Sequence, residues 1–374
     1  MDEFALIERY FRRPDHPPGD GVVLGPGDDA ALLLPPAGDE LVMTLDTSLG
    51  GHHFPDDLPA ADVGHRCLAV NLSDLYAMGA RPLWFLLSVT LPQADEAWLA
   101  GFAQGLFDLA DRAGIALVGG DVTRGPLSVS IQATGAVTPG RALRRSGARA
   151  GQRLAIGGVP GQGGLGLRHW QAGERASVSA RHLARPAFPL DLGAALVGRA
   201  GAAIDVSDGL LQDLGHILKA SGGLGAELDL ATLPVNEELA ALDEADRYPL
   251  QLTGGDDYCL LFTWPDARPL PPGTSDIGMI TEKGPILLRY PDGRPTGGLA
   301  ALLVRAGQAG SGAVGQGVVQ TLQAPAHAGF DADGVQAVLG EQRVPLAVVD
   351  KVIRQAQVEH RHHHAFVDQQ LVDR

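Results

Sequence analysis

Two cysteines in 374 residues leave no material for a disulfide framework or a cysteine-built metal site. Cys67 falls in a helical pattern and Cys259 in an apolar strand pattern, so both read as small core residues. No apolar run reaches membrane-spanning length, and the opening Met1-Asp2-Glu3-Phe4 lacks the basic and then apolar order of a signal peptide, so a cytoplasmic location is expected. Basic residues are outnumbered. Against 44 Asp and Glu stand 29 Lys and Arg, and the resulting net charge of −15 argues against nucleic acid as a bulk partner, because phosphate backbones are bound through basic surface. No Gly-x-x-x-x-Gly-Lys-Ser/Thr stretch occurs, which excludes a P-loop, and no Ser/His/Asp or Cys/His arrangement marks a nucleophile.

What is present is a globular composition: 45% hydrophobic residues and a length sufficient for two domains with ample cores. An amphipathic helix opens the chain (Phe4, Leu6, Ile7, Tyr10, Phe11) and ends at Pro14, Pro17 and Pro18. Strands are expected at 22–24, 41–45, 83–91, 115–118 and 127–137, and helices at 62–78 and 96–113. A basic, glycine-bearing stretch at 141–151 reads as a hinge. Beyond it come a strand at 154–156, helices to about 199, and strands at 202–206, near Leu228, at 250–252 and at 258–263. This alternation gives an α/β (α+β) fold of two domains, 1–140 and 141–308, with 309–374 as a C-terminal segment and extension.

The stretch Ala203-Ile204-Asp205-Val206-Ser207-Asp208-Gly209-Leu210-Leu211 puts two carboxylates and a hydroxyl where a strand becomes a helix. Ser207 and Asp208 stand at the helix N-terminus, where either serves as a cap. Asp205 stands inside the apolar run, where a carboxylate is costly without a charge partner or a metal. A helix N-terminus also suits phosphate, but Asp208 would repel it unless a divalent cation lay between them. Capping and a carboxylate, metal and phosphate layer both fit the pattern.

Asp28, Asp29, Asp46, Asp74, Asp121, Asp205, Asp208, Asp256 and Asp257 each follow glycine or border an apolar segment. If they converge, like charges about 4 Å apart repel by roughly 4 kcal/mol per pair at an effective dielectric of 20. Such a set needs cations, and oxygen ligands favour magnesium over zinc. Two further patterns compete. Gly161-Gln162-Gly163-Gly164-Leu165-Gly166 keeps a dinucleotide reading open, although the next acid, Asp191, lies beyond the usual spacing. Asn71-Leu72-Ser73-Asp74 echoes Asp205-Val206-Ser207-Asp208, and Gly-Gly-Asp follows each, ending at Asp121 and Asp256, which would suit two related halves.

With these residues in view, the sequence resembles the thiamine-monophosphate kinase family, in the superfamily of aminoimidazole ribonucleotide synthetase and selenophosphate synthetase. The resemblance rests on Gly27-Asp28-Asp29-Ala30, Thr44-Leu45-Asp46-Thr47 with His53-Phe54, Asn71 to Ala80, Gly119-Gly120-Asp121, Arg144-Arg145-Ser146-Gly147-Ala148, Asp205 to Leu210, and Gly254-Gly255-Asp256-Asp257-Tyr258. It implies transfer of the ATP γ-phosphoryl to thiamine monophosphate, giving thiamine diphosphate. It also implies a homodimer joined through an N-terminal mixed sheet with helices, and a C-terminal α/β domain. Carried over residue by residue, it makes Asp28, Asp29, Thr44, Asp46, Asp74, Asp121, Asp205 and Asp208 ligands of several magnesium ions. Gly120, Asp121, Arg145 and Ser207 contact ATP; His53, Asp256 and Phe330 face the thiamine monophosphate; Asp208, Asp121 and Arg145 act at the transferring phosphoryl. No nucleic acid or membrane partner is implied.

Three departures stand out. Asp256 and Cys259 occupy positions where the family usually has glutamate, Val122 replaces a usual threonine, and Ala332 stands where histidine is common. Rival readings are another ATP-dependent member of the superfamily and a nucleotide-binding regulator that has lost catalysis. Beyond about residue 333 the resemblance is silent; 344–358 has a helical apolar face, and His360 and His362 to His364 suggest a solvated terminus over a metal-binding tail.

Overall fold

The computed structural model describes residues 3–13, 16–187, 191–265, 268–291, 295–296, 336–339 and 342–345. Phe330 and most of the C-terminal extension, with the helical face expected at 344–358 and the histidines at 360–364, lie outside the described residues, although Val344 falls in a short strand.

The chain opens on α1 (Glu3–Leu6), which widens into a π-helical turn, Ile7–Phe11, closed by the Arg12 N–H on the Ile7 carbonyl. The wider turn replaces the longer helix expected and brings Phe11 edge-on against Phe102. Next come a small hairpin, β1 (Val22–Leu24) and β2 (Leu32–Leu33), then β3 (Glu40–Leu49), α2 (Ala60–Ala77), β4 (Arg81–Leu91), α3 (Glu96–Ala113), β5 (Ala116–Arg124) and β6 (Ser128–Val137). Strands β3 to β6 form one sheet in the order β3-β6-β4-β5, antiparallel except for the β4–β5 pair. One face is packed by α2 and α3 over Leu68, Leu72, Phe85, Phe102, Leu106 and Ile131, all closed to solvent.

Helix α3 shows how local sequence sets its limits. Asp95 caps it by accepting from the N–H groups of Ala97 and Trp98, and Gly114, at φ 66°, ends it in a left-handed turn. Gly64 on α2 and Gly105 on α3 let the helices touch: a Cβ on Gly105 would stand 1.7 Å from the Ala61 carbonyl oxygen. The other sheet face leaves Leu41, Met43, Leu45 and Leu86 exposed.

The second half supplies β7 (Arg153–Gly157), α4 (Gln162–Gln171), α5 (Val178–Ala184), α6 (Leu192–Leu196), β8 (Ala203–Val206), α7 (Leu210–Ala220), β9 (Leu224–Asp229), α8 (Glu237–Ala240), α9 (Glu244–Thr253), β10 (Cys259–Trp264), β11 (Thr274–Lys283), β12 (Ile286–Arg289) and β13 (Pro295–Thr296). These strands make a seven-stranded sheet ordered β13-β12-β9-β11-β7-β10-β8, with only β12–β9 parallel. Strands β14 (Gln336–Leu339) and β15 (Gln342–Pro345) pair with each other. The α/β class is therefore as expected, but Leu250 to Leu252 lie in α9 and not in a strand. Asp243 caps that helix through the Asp246 N–H, and the three residues Leu250-Gln251-Leu252 are too few to set a strand period against it.

The internal echo does not survive either. Asn71 to Asp74 lie inside α2, while Asp205 to Asp208 run off the end of β8. Asp121 lies in β5, and Asp256 in a turn after α9. Four matching residues are too few to impose a common local structure on different tertiary surroundings. Among the described residues no helix is long and apolar enough to cross a membrane.

Candidate active site

Strand β8 lies at the edge of its sheet, and its Asp205 points away from the ladder towards α2. The carboxylate is 6% exposed and accepts a hydrogen bond from Ser73 Oγ at 2.8 Å. One residue along α2, Asp74 accepts from Thr44 Oγ1 at 2.5 Å, and the Asp46 N–H donates to Asn71 Oδ1 at 3.2 Å. Side chains from β3, α2 and β8 thus share one half-buried space. Burial, and then the charge of Asp74, push the carboxyls of Asp46 and Asp205 each up to about 6. Ser73 and the Arg145 guanidinium act in the opposite direction on Asp205.

Ser207 and Asp208 follow β8 with exposed side chains, and neither caps α7. That role falls to Asp213, whose Oδ2 accepts the N–H groups of Ser207, Asp208 and Gly209, each at 3.1 Å. The expectation of a Ser207 or Asp208 cap is corrected on this point: an acid on the first turn reaches back and takes the free donors, in the manner of a capping box. Asp213 was missed by sequence reasoning, because the acid of a capping box stands three residues after the cap and Asp213 stands four after Gly209. Burial, then the charges of Asp208 and Asp205, raise its carboxyl to about 7. Ligand atoms of Asp208, Asp213 and His216 lie within 4.8 Å of one another. Capping by Asp213 frees Ser207 and Asp208 for other contacts.

A second group of acids lies elsewhere. Asp28 and Asp29 occupy the loop between β1 and β2, where the Asp29 N–H donates to Asp28 Oδ1 at 2.8 Å. With Gly120 and Asp121 they line a cleft of about 960 Å³ over the sheet face that carries Met43 and Leu86. Gly120 is glycine for a steric reason, since a Cβ there would meet the Leu87 carbonyl oxygen at 1.8 Å. Among the described residues no hydrogen bond or ion pair joins Asp28, Asp29 or Asp121 to the inner carboxylates.

The third corner is built from the turn 254–258. Asp256 and Tyr258 hold left-handed φ values of 62° and 51°, fixed by N–H bonds from Asp256 to the Ser207 carbonyl and from Tyr258 to the Val206 carbonyl. Asp256 Oδ1 accepts from Arg66 Nη2 at 2.7 Å and from the Tyr258 hydroxyl at 2.9 Å. His53 lies near this pair, and its Nδ1 accepts the Leu49 N–H at 3.1 Å. A ring nitrogen that accepts carries no proton, so neutral His53 presents N–H at Nε2. Burial, followed by the His52 charge, lowers its pKa and favours that neutral form.

Asp257 settles the glycine-rich motif. Its fully buried carboxylate accepts from the Gly161 N–H at 2.6 Å and the Gly163 N–H at 2.8 Å. The donors a dinucleotide pyrophosphate would need are occupied by the chain's own acid, which overturns the dinucleotide reading.

Thr44, Asp46, Asp74, Asp205 and Asp208 offer oxygen donors only, and the carboxyls of Asp46 and Asp205 are raised first by burial and then by the charge of Asp74. Such a set fits a hard divalent cation.

Residues 27–137 match the family described as AIR synthase related protein, N-terminal domain. The thiamine-monophosphate kinase of Escherichia coli (strain K12) is 46% identical over 272 residues, covering 71% of this chain and 83% of that protein. The crystal structure of thiamine-monophosphate kinase from Stenotrophomonas maltophilia K279a superposes with a TM-score of 0.69 at 41% identity, covering 78% of this chain and 95% of that one. The structure of AaThiL complexed with AMPPCP and TMP gives a TM-score of 0.63 at 28% identity, over 70% of this chain and 86% of that one. On this identity and coverage, the chain belongs to the thiamine-monophosphate kinase family.

Proposed function

We propose that the protein transfers the γ-phosphoryl group of ATP to thiamine monophosphate, forming thiamine diphosphate and ADP. The observation that carries the reading is the meeting of Asp46, Asp74 and Asp205 from three elements, next to the freed Ser207-Asp208 loop. Family membership and the AMPPCP and TMP bound to AaThiL support it.

In this reading Thr44, Asp46, Asp74, Asp205 and Asp208 hold magnesium, with Asp28, Asp29 and Asp121 as further ligands from the cleft side. Bound magnesium neutralises phosphate charge beside these carboxylates. Ser207, Gly120, Asp121 and Arg145 hold the nucleotide, and the exposed Arg145 supplies positive charge towards the phosphoryl group. His53 Nε2–H donates to the acceptor phosphate, while Asp256 faces the rest of thiamine monophosphate. An oxygen of that phosphate bonds to the γ-phosphorus as the bond to the ADP oxygen breaks. The attacking oxygen is already anionic, so positioning does the work and no strong base is required. Phe330, by resemblance, packs beside the substrate.

The proposal includes residues 1–140 as the ATP, metal and dimerisation domain and 141–308 as the α/β partner domain, in a homodimer that covers Leu41, Met43, Leu45 and Leu86. It places the enzyme in the cytoplasm, where ATP is supplied. Incubating the protein with ATP, thiamine monophosphate and magnesium tests the reading: thiamine diphosphate and ADP should form in equal amounts. Absence of thiamine diphosphate from folded protein would refute it and favour a non-catalytic nucleotide binder.

A further inference from the structure

Arg66 has no part in the chemistry above, yet its guanidinium is among the most enclosed charges in the molecule, with the residue 2% exposed. A buried cation is tolerated only where its donors are matched. Arg66 Nη1 donates to the Leu183 carbonyl at 2.6 Å, and Nη2 donates both to the His53 carbonyl at 3.1 Å and to Asp256 Oδ1 at 2.7 Å. Two of these three partners are the residues assigned to the acceptor. His53 lies 13 residues before Arg66 and Asp256 lies 190 after it, so one planar group joins the loop preceding α2 to the turn following α9.

The turn it grips is under strain. Non-glycine residues at the φ values of Asp256 and Tyr258 are unfavourable and persist where their surroundings over-determine them. Arg66 and the Tyr258 hydroxyl both bind Asp256 Oδ1. Among the described residues Oδ2 accepts no hydrogen bond, and the Asp256 side chain is 40% exposed. One oxygen is anchored and the other is presented. An aspartate here has one methylene less reach than the glutamate usual in the family, so its position depends on the anchor.

We propose that Arg66 is a positioning residue for the acceptor: by binding Asp256 Oδ1 and the His53 carbonyl together, it fixes Asp256 Oδ2 and His53 Nε2–H at one spacing. The donor suits a phosphate monoester, and the carboxylate suits the cationic or amino-bearing ring system attached to it. This rests on thiamine monophosphate being the acceptor, as proposed above.

Steady-state kinetics of the full chain test it with Arg66→Met, Arg66→Lys, Asp256→Asn and the Arg66→Met/Asp256→Asn pair. Arg66→Met should raise KM for thiamine monophosphate about tenfold or more while KM for ATP stays within about twofold. Arg66→Lys, which keeps the charge without the fork, should recover part of that loss. In the pair, the acceptor KM should stay within about threefold of that of Asp256→Asn, because the arginine acts through the aspartate. Equal rises in both KM values, an unchanged acceptor KM, or effects that multiply in the pair would overturn the proposal. Should Arg66→Met fail to fold, Arg66→Lys decides alone: an acceptor KM raised about threefold or more supports the proposal, and any smaller change overturns it. Wild-type protein that makes no thiamine diphosphate would overturn the underlying reading as well, which separates the two failures.

Discussion

At Asp205, burial and charge oppose each other. Its carboxyl titrates near 6 in the fold against 3.8 as the ordinary value, so folding disfavours the ionised form. The resulting cost is fully present above about pH 6, shrinks as pH falls towards 3.8, and amounts to at most about 3 kcal/mol. Asp205→Asn, which keeps an acceptor for Ser73 Oγ, should therefore be more stable than wild type at pH 8 without divalent cations and no more stable near pH 4. Urea denaturation at the two pH values checks this, and equal stability at pH 8 would contradict it. Asp205 was legible in the sequence because a carboxylate inside an apolar run needs a reason. Asp213 and Arg66 were not. Each reads as an ordinary helical residue, and the partners that give Arg66 its importance include one 190 residues away.

Among the elements, α4 gives the sharpest contrast between motif and structure. Its N-terminal N–H groups are satisfied by Asp257, and the carboxylate has no exposure to water. Asp257→Ala should lower the unfolding free energy by about 2 kcal/mol, since two buried donors lose their acceptor. KM for ATP should change little, because the N–H groups of this helix are already taken by Asp257. Denaturation and initial-rate measurements check both parts, and a large rise in KM for ATP would return the glycine motif to nucleotide binding. Helix α3 was readable in full from its cap, its apolar period and its terminal glycine. The residues 250–252 were misread because Leu250-Gln251-Leu252 alternates as a strand does yet is too short to exclude a helix, and the deciding cap lies seven residues earlier at Asp243.

Across the whole molecule, the alternation of strands and helices was enough for the α/β class. Strand order was not legible, because the β3-β6-β4-β5 arrangement depends on pairings between distant segments that periodicity does not encode. One consequence is the open face of that sheet, where Met43 and Leu45 are each 65% exposed. A face of this kind marks an interaction surface, and the homodimer is the proposed occupant. Met43→Glu should shift sedimentation from dimer to monomer at micromolar concentration while leaving the fold intact, since the side chain faces away from α2 and α3. A wild-type monomer, or a dimer untouched by the charge, would refute that occupant.

The central claim is that carboxylates from β3, α2 and β8 form one magnesium-bearing site for phosphoryl transfer, and turnover against magnesium concentration tests it most directly. For wild type, conversion of ATP and thiamine monophosphate to thiamine diphosphate should vanish when divalent cations are removed and return when magnesium is restored. Asp205→Asn should lose turnover by about a hundredfold or more and recover part of it at raised magnesium. If Asp205→Asn keeps wild-type turnover with an unchanged magnesium dependence, the carboxylate site is not where transfer occurs.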